Sequence, residues 1–122
     1  MDVAVPITAY PELIAAIREQ LEPTDLTSYF ISHAGNGNVH LNIAGQKNNR
    51  EQWDLIHQIS ERLVYKTLDL KGTATGEHGV GLEKINQMCA QFPPEELQMF
   101  HDVKAVFDEL GLLNPGKAIP TL

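Results

Sequence analysis

Ser28-Tyr29-Phe30-Ile31-Ser32-His33, followed by Ala34-Gly35-Asn36-Gly37-Asn38 and then by Val39-His40-Leu41-Asn42-Ile43-Ala44, is the stretch that decides the fold. Its first run is rich in strand formers, its middle is a glycine and asparagine turn signal, and its last run alternates apolar with polar residues. That pattern predicts a β-hairpin. On the amino-terminal side, Asp2 to Pro6 sets Val3 and Val5 on one face of a strand. From Pro11 onward, Leu13, Ile14, Ile17 and Leu21 recur at helical spacing until Pro23. On the other side, Asn48 and Asn49 are placed to cap a long helix with Trp53, Ile56, Ile59, Leu63 and Leu68 on its inner face. Gly72-Thr73-Ala74-Thr75 then reads as a short strand. The resulting order, β-α-β-β-α-β, predicts an α+β fold of the ferredoxin-like kind: a four-stranded antiparallel sheet with two helices on one face. C-terminal helices follow over about Leu82 to Gln91 and Pro94 to Leu110, with Gly111 placed to stop the second.

The 122 residues suit one domain, 1–122, and no internal repeat or linker divides them. An apolar share of 43% and a charged share of 20% are those of an ordinary globular protein. No apolar run is long enough to span a bilayer, and the start has neither the basic nor the apolar region of a secretory signal, so a cytoplasmic setting is expected. A formal charge of −7 repels phosphate backbones, which argues against nucleic acid as a partner. The single cysteine, Cys89, lies in an apolar helical stretch and is expected to be a buried structural thiol.

Two clusters carry chemistry. His33 and His40 flank the glycine turn, and residues so placed on two hairpin strands can turn both imidazoles toward one ion. In Thr75-Gly76-Glu77-His78-Gly79-Val80-Gly81, a carboxylate and an imidazole are neighbours between glycines. Adjacent side chains on extended backbone point to opposite sides, so Glu77 and His78 divide naturally into metal ligand and proton acceptor. Two histidines and one carboxylate leave a coordination position open, as catalytic metal sites do. A polar hairpin without metal accounts for the same histidines, and His57 and His101, inside helical segments, are left outside the site.

In this order and near a carboxy terminus, His33-Ala34-Gly35-Asn36-Gly37-Asn38-Val39-His40, Gly76-Glu77-His78-Gly79-Val80-Gly81 and Leu113-Asn114-Pro115-Gly116-Lys117 resemble the C-terminal domain of FAD-linked oxidases. Glu83 to Phe92, Phe100-His101 and Val103-Lys104-Ala105 narrow the likeness to the glycolate oxidase type, which is related to D-lactate and D-2-hydroxyglutarate dehydrogenases. The resemblance covers essentially the whole chain. It implies that His33, His40 and Glu77 hold a divalent metal (zinc, manganese or iron), that His78 is the base, and that Asn114 approaches the flavin, with Lys117 a weaker candidate. It also implies oxidation of glycolate or D-lactate to the 2-oxo acid, with proton transfer to His78 and hydride transfer to FAD. Departures from the family pattern fall at Asn36, more usually Asp, at Thr8 and Ala9, where a basic residue is common, and at Leu82, where Arg is usual.

The resemblance implies that FAD is held mainly by a larger amino-terminal domain, and no glycine-rich segment here is placed to cradle a pyrophosphate at a strand-to-helix turn. The expected partners are the FAD-binding domain of a parent chain, other glycolate oxidase subunits and a small 2-hydroxy acid. Attachment at the periphery of the inner membrane would come through such subunits. Without the flavin domain, these residues are expected to be inactive. Two alternatives stand beside this reading: a non-catalytic ferredoxin-like module that binds metal or forms a homodimer through its open sheet face, and a flavin-independent metallohydrolase.

Overall fold

The computed structural model describes residues 1–121. Its sheet holds β1 (Asp2–Ala4), β2 (Thr27–His33) and β3 (Asn38–Ala44) in the order β1-β3-β2. Both outer strands run antiparallel to β3. β1 and β2 are therefore parallel to each other with β3 between them, joined by the helix α1 (Tyr10–Leu21), which is the split βαβ unit that the order of elements predicted. The chain is α+β.

The expected fourth strand is shorter than the sequence suggested. Only Thr73 pairs, in an isolated antiparallel bridge to Ala4, through Thr73 N–H to the Ala4 carbonyl at 2.7 Å and the reverse bond at 3.4 Å. Beyond it, the Thr73 hydroxyl bonds the Thr75 carbonyl and the N–H groups of Gly76 and Glu77 go to the Asp2 carboxylate, so the backbone donors that a longer strand would need are used otherwise. The bridge still lies on the outer side of β1, where the ferredoxin-like order places a fourth strand.

Alternation along β3 directs Val39, Leu41 and Ile43 to one face, where α1 and α2 (Arg50–Asp69) pack. Val3, Leu13, Ile17, Val39, Leu41, Ile59 and Leu63 are almost fully buried there. Asn49 caps α2 by accepting the Gln52 N–H, as its position at the head of the apolar periodicity implied. Of the five residues assigned to the inner face of α2, Ile56, Ile59 and Leu63 are buried and Leu68 is partly so. Trp53 is more exposed and donates its indole N–H to the Gln46 carbonyl. Lys66 on α2 meets Glu12 on α1 at 2.6 Å, and that hydrogen bond raises the lysine pKa. The other sheet face carries Asp2, His40 and Asn42 with Ile31 and Tyr29 beside them, the last two 61% and 60% exposed.

The chain forms two compact units, Met1–Glu77 and a second that begins at His78. The second contains α3 (Ile85–Gln91) and α4 (Pro94–Phe107). Phe92 and Phe100 meet edge to face at 5.2 Å, and Met88 and Leu97 are buried. Both helices are shorter than periodicity suggested. α3 starts after Lys84, past the glycine-rich turn, and α4 ends at Phe107 rather than at Leu110. The second stop belongs to Asp108, whose carboxylate accepts the Leu112 and Leu113 N–H groups at 2.8 and 3.0 Å and binds the Lys104 ammonium. Lys104, more than the two amides, holds the Asp108 carboxyl below the usual carboxylate range. Cys89 is exposed, contrary to the expectation of a buried thiol: α3 turns Gln87 and Met88 inward, and the next residue, about 100° further round, faces outward. Among the described residues, no helix is long and apolar enough to cross a membrane.

Candidate metal centre

The register of the hairpin is what brings its two histidines together. His33 pairs with Asn38 and Ile31 pairs with His40, so His33 and His40 lie diagonally on the same, open face of the sheet. Their rings stand 5.7 Å apart at 87°. The turn between them depends on Gly37, which has a φ of +72° and whose carbonyl accepts the Val5 N–H at 3.0 Å. A Cβ there would stand 1.9 Å from the Val5 carbonyl oxygen, so only glycine lets the turn settle against the end of β1.

Glu77 reaches the same face from the loop after the Thr73 bridge. Its Oε1 stands 3.2 Å from His40 Nε2. One donor atom each from His33, His40 and Glu77 can be chosen so that all lie within 4.8 Å of one another. Ligands that each sit about 2.0–2.2 Å from one ion are roughly 3–4 Å apart, so small side-chain rotations suffice to close this set. His40 is half-buried, whereas His33 and Glu77 are exposed and leave one side of the set open to solvent.

A residue that motif reading did not single out underlies the centre. Asp2 is 2% exposed and its Oδ1 lies 3.4 Å from His40 Nδ1. Its Oδ2 accepts the N–H of Gly76 at 2.9 Å and of Glu77 at 2.8 Å, with the Thr75 hydroxyl at 3.3 Å. Asn38, buried beside it, donates Nδ2 to Asp2 Oδ1 at 2.8 Å and to the Val3 carbonyl at 3.1 Å. The available signal was the pairing of Asp2 with His40 across β1 and β3, which puts both side chains on one face.

The sequence pattern of the family described as FAD linked oxidases, C-terminal domain, matches residues 1–118. The chain belongs to that family. Among its relatives, the Glycolate oxidase subunit GlcD of Escherichia coli (strain K12) is 42% identical over 122 residues, all of this chain and 24% of that protein. The mitochondrial D-lactate dehydrogenase [cytochrome] of Arabidopsis thaliana is 35% identical over 98% of this chain and 21% of its own length. The mitochondrial D-2-hydroxyglutarate dehydrogenase of Bos taurus is 31% identical over 98% of this chain and 22% of its own length. The chain thus spans about a quarter of the curated relatives that it matches.

Two imidazoles and a carboxylate suit a divalent transition metal in this FAD-linked oxidase domain, because neutral nitrogen and anionic oxygen donors are what such ions take. Of the remaining sequence-derived site residues, His78 follows Glu77 directly along the chain, opens the second unit and is exposed. Asn114 lies in the second unit, exposed, in left-handed conformation at φ 44°, and its carbonyl accepts the Lys117 N–H. His57 is exposed and His101 Nε2 bonds the Pro120 carbonyl at 2.7 Å; the donors that converge are those of His33, His40 and Glu77.

Proposed function

We propose that residues 1–122 form the substrate and metal domain of an FAD-dependent 2-hydroxy acid dehydrogenase that oxidises glycolate or D-lactate to the 2-oxo acid. The observation that carries this reading is the convergence of His33, His40 and Glu77 donors within 4.8 Å on the open sheet face of a family member. When bound, a divalent metal supplies Lewis acidity to a substrate hydroxyl and the flavin supplies the two-electron acceptor. His33, His40 and Glu77 hold the ion. Two neutral imidazoles and one carboxylate cancel only part of its charge, so the open side of the set attracts a substrate carboxylate. His78 accepts the hydroxyl proton at a ring nitrogen, and Asn114 contributes to the flavin pocket. The FAD-binding domain of the parent chain is the partner that completes the enzyme.

The test loads the chain with Mn²⁺ and follows paramagnetic relaxation of glycolate and D-lactate protons. Wild type should bind one metal and broaden both acids, while leaving ethylene glycol, which lacks the carboxylate, unaffected. His40→Ala should weaken metal binding at least about 100-fold, more than loss of a group that only supports a ligand. Equal metal content in the two proteins removes the ligand set. A metal-loaded wild type that leaves both acids unaffected removes the substrate class.

A further inference from the structure

Asp2 is an acid buried in a place where burial is expensive. A carboxylate withdrawn from water is tolerated only where donors replace its hydration. Here the donors come from both parts of the metal centre. Oδ2 faces the loop and takes the Gly76 and Glu77 N–H groups and the Thr75 hydroxyl, while Oδ1 takes Asn38 Nδ2 and faces His40 Nδ1. One side chain therefore spans the hairpin that carries His33 and His40 and the loop that carries Glu77. The fit is tight, since a Cβ on Gly76 would stand 2.5 Å from Asp2 Oδ1 and 2.0 Å from Asn38 Nδ2.

The geometry points to Asp2 as the positioning residue of the metal centre, through two separate actions, and this inference rests on the proposed ligand set. The first concerns the His40 ring. An imidazole binds metal through one bare nitrogen while the other carries the proton, and an acceptor beside a nitrogen decides which is which. Asp2 Oδ1 stands 3.4 Å from Nδ1, within ion-pair range rather than hydrogen-bonded to it, and Glu77 Oε1 stands 3.2 Å from Nε2. An ion taken up between Nε2 and Glu77 leaves the ring proton to Nδ1, where a small rotation brings it onto Asp2. The second concerns the loop. The backbone N–H of Glu77 itself is bonded to Asp2, which anchors that ligand at its own main chain.

Asp2→Asn separates this role from mere packing. The amide has the same shape but only one acceptor oxygen. Its NH₂ must then face either the two loop N–H groups or the His40 and Asn38 side, and one of the two actions is lost. The 122-residue chain, wild type and Asp2→Asn, is titrated with zinc against a chromophoric chelator. The variant should bind zinc about 10–100-fold more weakly, the usual loss when a partner that orients a metal ligand is removed, with unchanged circular dichroism. In parallel, long-range ¹H–¹⁵N spectra of zinc-loaded wild type should show His40 protonated at Nδ1 with Nε2 shifted by the metal. If wild type binds no zinc, the ligand set and this role fall together. If wild type binds and Asp2→Asn matches it, only the role of Asp2 falls. A zinc-bound His40 with its proton on Nε2 overturns the role even where the variant does not fold, and the Nδ1–H form supports it there.

Discussion

The two compact units differ in how completely they hide their apolar side chains. Met1–Glu77 closes a core around Val3, Leu13, Ile17, Val39, Leu41, Ile59 and Leu63. From His78 onward, Met88 and Leu97 are buried, while Met99, Val103, Val106, Phe107, Leu110 and Leu112 are exposed, Val106 by 79% and Phe107 by 81%. The first unit thus has the means to hold His33 and His40 on a rigid sheet, with the Glu77 loop tied to it through Asp2. The second carries apolar surface of the sort that marks an interaction site or an aggregation hazard.

The largest test of this contrast is truncation in the two units. Leu13→Ala or Ile59→Ala should lower stability by about 2–5 kcal/mol in urea unfolding, whereas Val106→Ser should stay within about 0.5 kcal/mol. Similar losses at all three positions would erase the difference. Gly76→Ala sharpens it next: a Cβ cannot fit against Asp2 and Asn38, so overpacking should cost about 1–3 kcal/mol and weaken zinc binding, with melting and metal titration as readouts. Wild-type behaviour would mean that the loop is less tightly held than the core beneath it. The smallest effect is local to the second unit. Asp108 has its pKa lowered from 3.8 in the folded chain, so the unfolded chain binds more protons below that value. Its stabilisation is complete above pH 3.8 and is lost as pH falls through the lowered value. The Leu112 and Leu113 amide resonances should therefore hold to below that pH and then shift with the Asp108 carboxyl carbon. In Asp108→Asn that pH-dependent shift should vanish, and a midpoint at or above 3.8 in wild type would remove this account of the stop.

What was legible in the sequence follows from where the signal was periodic. The alternation in Val39 to Ala44 and the helical spacing of Leu13, Ile17 and Leu21 each report on one buried face, and they gave the split βαβ order and the facing of the two histidines. The extent of the fourth strand was not legible, because it depends on where the Gly76 and Glu77 N–H groups go, and their acceptor is a side chain more than seventy residues away. The same distance hid Asp2, which by itself reads as the polar partner in an alternating strand. Cys89 and the end of α4 failed for a local reason. A seven-residue helix has too few turns to reveal its inner face, and the Asp108 stop competes with a glycine signal only three residues on.

Strand β2 lies at the border of the sheet, and among the described residues no strand pairs with its outer side. Thr27-Ser28-Tyr29-Phe30-Ile31-Ser32 contains no charge and no proline, the two devices that usually keep such borders from recruiting another chain. Handled at high concentration, the protein should therefore begin to associate at this strand by main-chain hydrogen bonding. A lysine in place of Tyr29, whose side chain already stands in solvent, is the natural gatekeeper to install there.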